Sequence, residues 1–202
     1  MIETFLFDMG NVLVHFSHPR MCEQIAVVCG STSDEIRHLL FDLQWQNEFE
    51  RGELTESTFR ERLENHFQRP IDQPALIHAA SDIFTLNTPM VPILKSLRRQ
   101  GKRLVLLSNT SISHIEFVRR EYDILSNFDD LVLSYEVGAM KPQPAIFESA
   151  LSKILCPPER CFYTDDIPPY IEAARQHGLQ AEVFTTAESL VAQLTNRGIS
   201  ID

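Results

Sequence analysis

None of the four cysteines (Cys22, Cys29, Cys156 and Cys161) forms a C-x-x-C pair, and the seven histidines do not cluster. That excludes the usual zinc and thiol-redox arrangements and leaves four reduced thiols, in the core or at the surface. Positive charge is also short, with 18 Lys and Arg against 28 Asp and Glu and a formal net charge of −10. A field of that sign repels polyanions, so neither nucleic acid nor an acidic membrane is an expected partner, and a small anionic ligand needs a local cationic site. The opening "MIETFLFDMG" has no basic leader and only a short apolar run. Neither a secretory signal nor a membrane span is expected, which points to the cytoplasm. Internal repeats and low-complexity tracts are lacking too, and a monomer is the default.

What is present is globular composition: 202 residues, 44% hydrophobic and 23% charged, enough for one good core and a modest accessory unit. Short, nearly continuous apolar runs stand at residues 3–8, 103–109, 130–135, 160–166 and 181–185. Runs of this kind suit strands buried on both faces of a parallel sheet. Helical periodicity follows at about 89–100, 111–120, 143–155, 167–177 and 186–197, with basic residues and glycine closing "RRQGKR" and "RQHGLQ". The alternation predicts a Rossmann-like α/β domain with a doubly wound parallel sheet. Residues 17–87 interrupt it with helical pattern and no strand signal. In that insertion Ile36, Leu39, Leu40 and Leu43 share a face, and a Thr55 cap precedes a helix carrying Phe59, Leu63 and Phe67.

Ligands of open parallel sheets sit beyond the carboxyl ends of the strands. Those ends carry Asp8, then Ser108 and Asn109, then Lys141 in a loop, then Asp165 and Asp166. Taken singly, each has a plain structural role: a turn cap, a helix N-cap in "SNTS", a solvated loop lysine, a loop "DD". Their conjunction at successive strand ends is what implies a site. Three converging carboxylates repel unless a cation sits among them, and hard oxygen ligands with an open position suit Mg²⁺ and a phosphate ester. Lys141 and Ser108 complete the surroundings of such a phosphoryl group. Asp8, fixed at a strand end, is placed to attack phosphorus and form an aspartyl-phosphate.

The segments "FLFDMGNVLV", "VLLSNTS", "GAMKPQPAIF" and "CFYTDDIPPYIEAARQHG" resemble, in order, the four signature motifs of the haloacid dehalogenase-like (HAD) hydrolase superfamily. The likeness spans the chain and is nearest to the sugar-phosphate phosphatases related to α-D-glucose-1-phosphate phosphatase and to the N-terminal phosphatase domain of epoxide hydrolases. It implies a HAD-like core at residues 1–16 and 88–202, with residues 17–87 as a helical cap that closes over the site. It also implies Asp8 as nucleophile and Mg²⁺ held by Asp8, the Gly10 carbonyl and Asp166, with Asp165 assisting. Ser108, Asn109 and Lys141 would bind the phosphoryl group.

Most phosphatases that this chain resembles carry a second aspartate two residues after the nucleophile as general acid and base; here Gly10 stands in that place. Either the leaving group needs little protonation, as in an anomeric or acyl phosphate, or an acid is borrowed, or turnover is slow. His15 is the candidate for a borrowed acid, against the plain role of an exposed hairpin histidine. Asn11 suits the turn after the nucleophile. In the cap, Phe41, Trp45, Glu48, Phe49, Glu50 and Arg51 are candidates to face the crevice, the aromatics equally suited to the cap core. The expected function is a Mg²⁺-dependent phosphatase of small phosphorylated metabolites. The alternatives are a 2-haloacid dehalogenase, for which the "TDD" at 164–166 has no clear use, and a catalytically impaired phosphate-binding protein.

Overall fold

The computed structural model describes residues 1–201. Its centre is β1 (Thr4–Phe7), flanked on one side by β4 (Arg103–Ser108) and β5 (Asp130–Leu133), and on the other by β6 (Cys161–Asp165) and β7 (Gln180–Val183). All pairings are parallel, in the spatial order β5-β4-β1-β6-β7. The chain builds outward from β1 to β5 and then returns to the other side of β1. The strand order therefore reverses beside β1, where open α/β sheets form their crevice.

Every residue of β1 is buried, and the period of two divides its side chains between two cores. Phe5 and Phe7 join Leu104, Leu106 and Phe162 on one face, whereas Leu6 joins Val105, Leu107 and Tyr163 on the other. The first face is covered by α6 (Met90–Arg99), α7 (Ile112–Glu121) and α11 (Ala187–Thr195), through Leu94, Val118 and Leu190 among others. The second is covered by α9 (Pro144–Lys153) and α10 (Pro168–Gln176), through Phe147 and Ile171. Helices on both faces make the sheet doubly wound. A short helix, α8 (Ser134–Val137), follows β5. Among the described residues no helix is long and apolar enough to cross a membrane.

The insertion after β1 is reached through a ribbon absent from the sequence pattern. Strand β2 (Val14–Phe16) pairs antiparallel with β3 (Phe84–Leu86), placing His15 opposite Thr85. Three residues are too few to show a period of two, which is why residues 84–86 gave no strand signal. Asn87 locks the base of the ribbon, its Nδ2 donating to the Val12 carbonyl at 2.7 Å and its main-chain N–H to the Leu13 carbonyl at 3.0 Å.

Beyond the ribbon come α1 (His18–Cys29), α2 (Ser33–Arg37), a π-helical turn (His38–Asp42), α3 (Trp45–Glu50), α4 (Glu56–Phe67) and α5 (Gln73–Ser81). Thr55 and Thr58 cap the N-terminus of α4 reciprocally. Leu43 departs from expectation: Ile36, Leu39 and Leu40 are buried, but Leu43 is 47% exposed. The π-helical turn widens the spiral and rotates position 43 off the shared face.

Leu6 lies at the centre of the second core with no exposed surface. Leu6→Ala should cost roughly 2–5 kcal/mol, lowering the Tm by roughly 5–15 °C. Thermal denaturation followed by circular dichroism measures this, and an unchanged Tm would place the strand elsewhere.

Candidate active site

The carboxyl ends of β1, β4 and β6 lie side by side, with Phe7 level with Leu106 and Thr164. Asp8 extends β1 by one hydrogen bond, its N–H donating to the Thr164 carbonyl at 3.1 Å. The chain then turns sharply. The Met9 carbonyl accepts from the N–H groups of Leu13 and Val14, and Asn11 adopts φ 54°, a left-handed conformation that asparagine tolerates. The Asn11 amide donates to Asp166 Oδ2 at 2.9 Å, tying the turn to the end of β6.

Lys141 Nζ is buried and donates to Asp8 Oδ1 at 2.7 Å, Asp165 Oδ2 at 2.6 Å and the Leu107 carbonyl at 3.0 Å. The Asn109 side chain clamps the lysine's backbone: Oδ1 accepts from the Lys141 N–H at 2.8 Å, and Nδ2 donates to the Lys141 carbonyl at 3.2 Å. The peptide bond Lys141–Pro142 is cis. Both Asp165 oxygens are engaged, Oδ2 accepting from Lys141 and the Tyr163 hydroxyl and Oδ1 from the Ile167 N–H at 2.9 Å. The Ser108 hydroxyl is buried, with a long 3.4 Å bond to the Asn109 carbonyl.

The electrostatics follow from this packing. Burial raises the Asp8 carboxyl to about 7, with the Asp165 charge adding to the effect and Lys141 opposing it. Burial disfavours the Lys141 charge, but the two carboxylates outweigh it and hold the ammonium above the ordinary lysine range. Burial likewise lifts Asp166, with Asn11 opposing and Asp165 reinforcing. One ammonium thus serves three carboxylates, and carboxylate oxygens of Asp8, Asp165 and Asp166 lie within 4.8 Å of one another. The excess negative charge and the hard oxygen donors fit a small divalent cation such as Mg²⁺.

Beside this cluster is a cavity of about 50 Å³, lined among others by Gly10, His18, Glu50, Asn109, Thr110 and His114. A Cβ at Gly10 would lie 2.9 Å from a ring carbon of Phe16, so a side chain at position 10 would require that ring to shift. His15 does not reach the cavity; it is exposed on β2, the strand pattern turning it outward. Of the cap candidates, Glu50 lines the cavity. Glu48 pairs with Arg62 and Arg51 with Glu53, while Trp45 packs under Arg62 and Phe49 stacks on Phe59. Phe41 lies against His18, with ring centroids 4.7 Å apart.

Sequence reasoning missed Tyr163, which reads as strand core, and Ser134, which ties the inserted helices to the sheet domain. The Ser134 Oγ accepts from the Thr110 N–H at 2.9 Å and donates to the Glu50 carbonyl at 2.6 Å. No local pattern announces contacts spanning 24 and 84 positions. His114 was also missed as a cavity residue. Its Nε2–H donates to the Ala80 carbonyl at 3.1 Å, and burial depresses its pKa to about 4.

The sequence model of the haloacid dehalogenase-like hydrolases matches residues 2–178. "Phosphatase MT3486" of Mycobacterium tuberculosis is 28% identical over 116 residues, 55% of this chain and 54% of that protein. The chain thus spans about half the length of this curated relative. "D-ribitol-5-phosphate phosphatase" of Bacteroides thetaiotaomicron is 23% identical over 187 residues, 89% of this chain and 90% of that protein. Among solved structures, HAD family enzyme bt-2542 of Bacteroides thetaiotaomicron, in complex with magnesium and inorganic phosphate, superposes with TM-score 0.77 at 22% identity. The match covers 92% of this chain and 96% of that one, and it speaks for the fold.

His114 supplies a pH prediction. Its imidazole is protonated near pH 4 in the folded chain, against an ordinary value of 6.5. The folded state is therefore fully favoured above 6.5, and this contribution is lost as pH falls toward and through 4. The gap is worth about 3 kcal/mol. Urea denaturation between pH 7 and pH 4 should show the wild type losing about that much more stability than His114→Gln, whereas parallel profiles would place the ring in water.

Proposed function

Since the chain belongs to the haloacid dehalogenase-like hydrolase family, we propose that it is a Mg²⁺-dependent phosphatase of small phosphorylated metabolites, sugar and polyol phosphates among them. The observation that carries this is the buried Lys141 ammonium held between Asp8 and Asp165, with Asp166 beside them. Two named phosphatases among the relatives support the same class. The small cavity under the helical insertion suits a compact substrate.

Asp8 is the nucleophile: its carboxylate oxygen bonds to phosphorus as the bond from phosphorus to the ester oxygen breaks, giving an aspartyl-phosphate and, once that oxygen takes a proton, a free alcohol. Water then cleaves the acyl phosphate, restoring Asp8 and releasing inorganic phosphate. Lys141 offsets repulsion between the carboxylate and the anionic phosphoryl group and fixes the orientation of Asp8. Asp165, its oxygens taken by Lys141, Tyr163 and Ile167, is a positioning residue for the lysine. Asn109 holds the lysine's backbone, and Ser108 and Thr110 border the phosphoryl position.

Asp8, the Gly10 carbonyl and Asp166 are the residues that would hold Mg²⁺. When bound, the cation supplies charge neutralisation and orientation for the phosphoryl oxygens. The insertion at residues 17–87 acts as the cap, limiting access and excluding water.

A screen of sugar, polyol and nucleotide monophosphates should give phosphate release that needs Mg²⁺ and that falls to the blank in Asp8→Asn and on addition of EDTA. Turnover surviving in Asp8→Asn would remove the nucleophile. Halide release from a 2-chloroalkanoate, undiminished by EDTA, would assign the site to carbon displacement instead.

A further inference from the structure

Breaking a bond to an alkyl ester oxygen calls for a proton on that oxygen, and position 10 has no side chain to give one, the Phe16 ring lying close against it. The cavity offers three other titratable groups. His114 spends its N–H on the Ala80 carbonyl and is neutral near pH 7, leaving a lone pair toward its surroundings. His18, between the rings of Phe16 and Phe41 at 4.9 and 4.7 Å, is likewise shifted toward the neutral form by burial. Glu50 is the remaining group.

Three contacts fix Glu50 in place. Its Oε1 accepts from the buried Gln46 amide at 2.8 Å. Its carbonyl accepts from Ser134 Oγ, which also holds the Thr110 N–H, so one hydroxyl sets the spacing between Glu50 and the β4 loop. Two residues on, Gly52 at φ 72° presses against the Tyr135 carbonyl, where a Cβ would come within 2.3 Å. The C-terminal end of α3 is therefore clamped onto α8. Among the described residues no cation forms an ion pair with Glu50: Arg51 is taken by Glu53 and Arg62 by Glu48. Tyr170 and Lys141 face it at longer range from the core, the lysine committed to Asp8 and Asp165. Enclosure raises the Glu50 carboxyl above its ordinary value, against the Gln46 bond and the Lys141 charge.

We propose that Glu50, carried by the inserted helices, is the catalytic acid and base of this chain, taking the part that no side chain at position 10 can play; this rests on the phosphatase assignment. In the first step the Glu50 carboxyl gives its proton to the departing ester oxygen as the bond to phosphorus breaks and Asp8 takes the phosphoryl group. In the second, the Glu50 carboxylate accepts a proton from the water that attacks the aspartyl-phosphate. Phosphate leaves, and Glu50 and Asp8 return to their starting forms. Because the acid rides on the cap, chemistry is confined to the closed molecule.

Glu50→Gln keeps the shape and the Gln46 contact but has no acidic proton. Steady-state rates with Mg²⁺ are compared on two substrates: ribitol 5-phosphate, whose leaving alcohol needs a proton, and p-nitrophenyl phosphate, whose leaving phenolate needs little help. The expected result is a fall in kcat/KM, which reports the steps up to phosphoryl transfer to Asp8, of about 10²–10³ on ribitol 5-phosphate and a much smaller fall, within about tenfold, on p-nitrophenyl phosphate, with partial recovery in Glu50→Asp; kcat, which includes the shared hydrolysis of the aspartyl-phosphate, falls on both. Equal losses of kcat/KM on both substrates would make Glu50 a structural residue and overturn the proposal, as would no loss on either. If the wild type turns over neither ester with Mg²⁺, the phosphatase assignment itself fails and this role falls with it. If the wild type is active and only the ratio stays flat, the assignment stands and the Glu50 role alone is lost.

Discussion

A lysine ammonium with no contact to water is unstable unless opposite charges enclose it, and Lys141 is 3% exposed. It survives there because Asp8 and Asp165 each accept one of its protons and the Leu107 carbonyl accepts the third. The dependence runs both ways, since those carboxylates would repel each other across the same gap without it. The turn after β1, the loop after α8 and the end of β6 are held at fixed spacing by this one group. The Asn109 clamp on the lysine's backbone is the support that keeps the ammonium in register.

The arrangement remains short of positive charge. Three carboxylates share one lysine, and the chain as a whole carries a formal −10, so net charge opposes the approach of an anionic ester and Lys141 is the cation set among the acidic groups. A divalent cation near Asp8 and Asp166 relieves that imbalance, which links metal binding to the admission of phosphate esters. The inserted helices also meet the core beside the acidic cluster. One of the contacts between the inserted helices and the core is Ser134 Oγ, shared between the Glu50 carbonyl and the Thr110 N–H. The position of the inserted helices and the geometry of the β4 loop are therefore coupled through this contact.

The sheet and its helices were legible because runs such as "RLVLLS" and "CFYTD" are buried on both faces and need no partner sequence to be recognised. The convergence of the candidate residues was legible to the same depth: Asp8, Asn109, Lys141, Asp165 and Asp166 meet at the carboxyl ends of the parallel strands. What could not be read depends on contacts distant in sequence. The β2–β3 ribbon joins residues 14–16 to 84–86, too short on either side to carry a period. Glu50 sits in "FERGEL" among other charges, and only the folded chain separates it from Glu48 and Glu53, which find arginines. His15 and His18 are three residues apart, yet the ribbon turns the first outward while the second lines the cavity. Asn109, expected at the phosphoryl group, has its amide committed to the backbone of Lys141.

The central claim is that Asp8, held by Lys141, accepts phosphorus. Its most direct test is acid quenching during steady turnover of a substrate ester with Mg²⁺, followed by peptide mass spectrometry. One acid-stable, base-labile phosphoryl group is expected on the peptide that contains Asp8. Phosphorylation confined to another residue, or a chain left unmodified at every quench time through a burst of alcohol release, would contradict it.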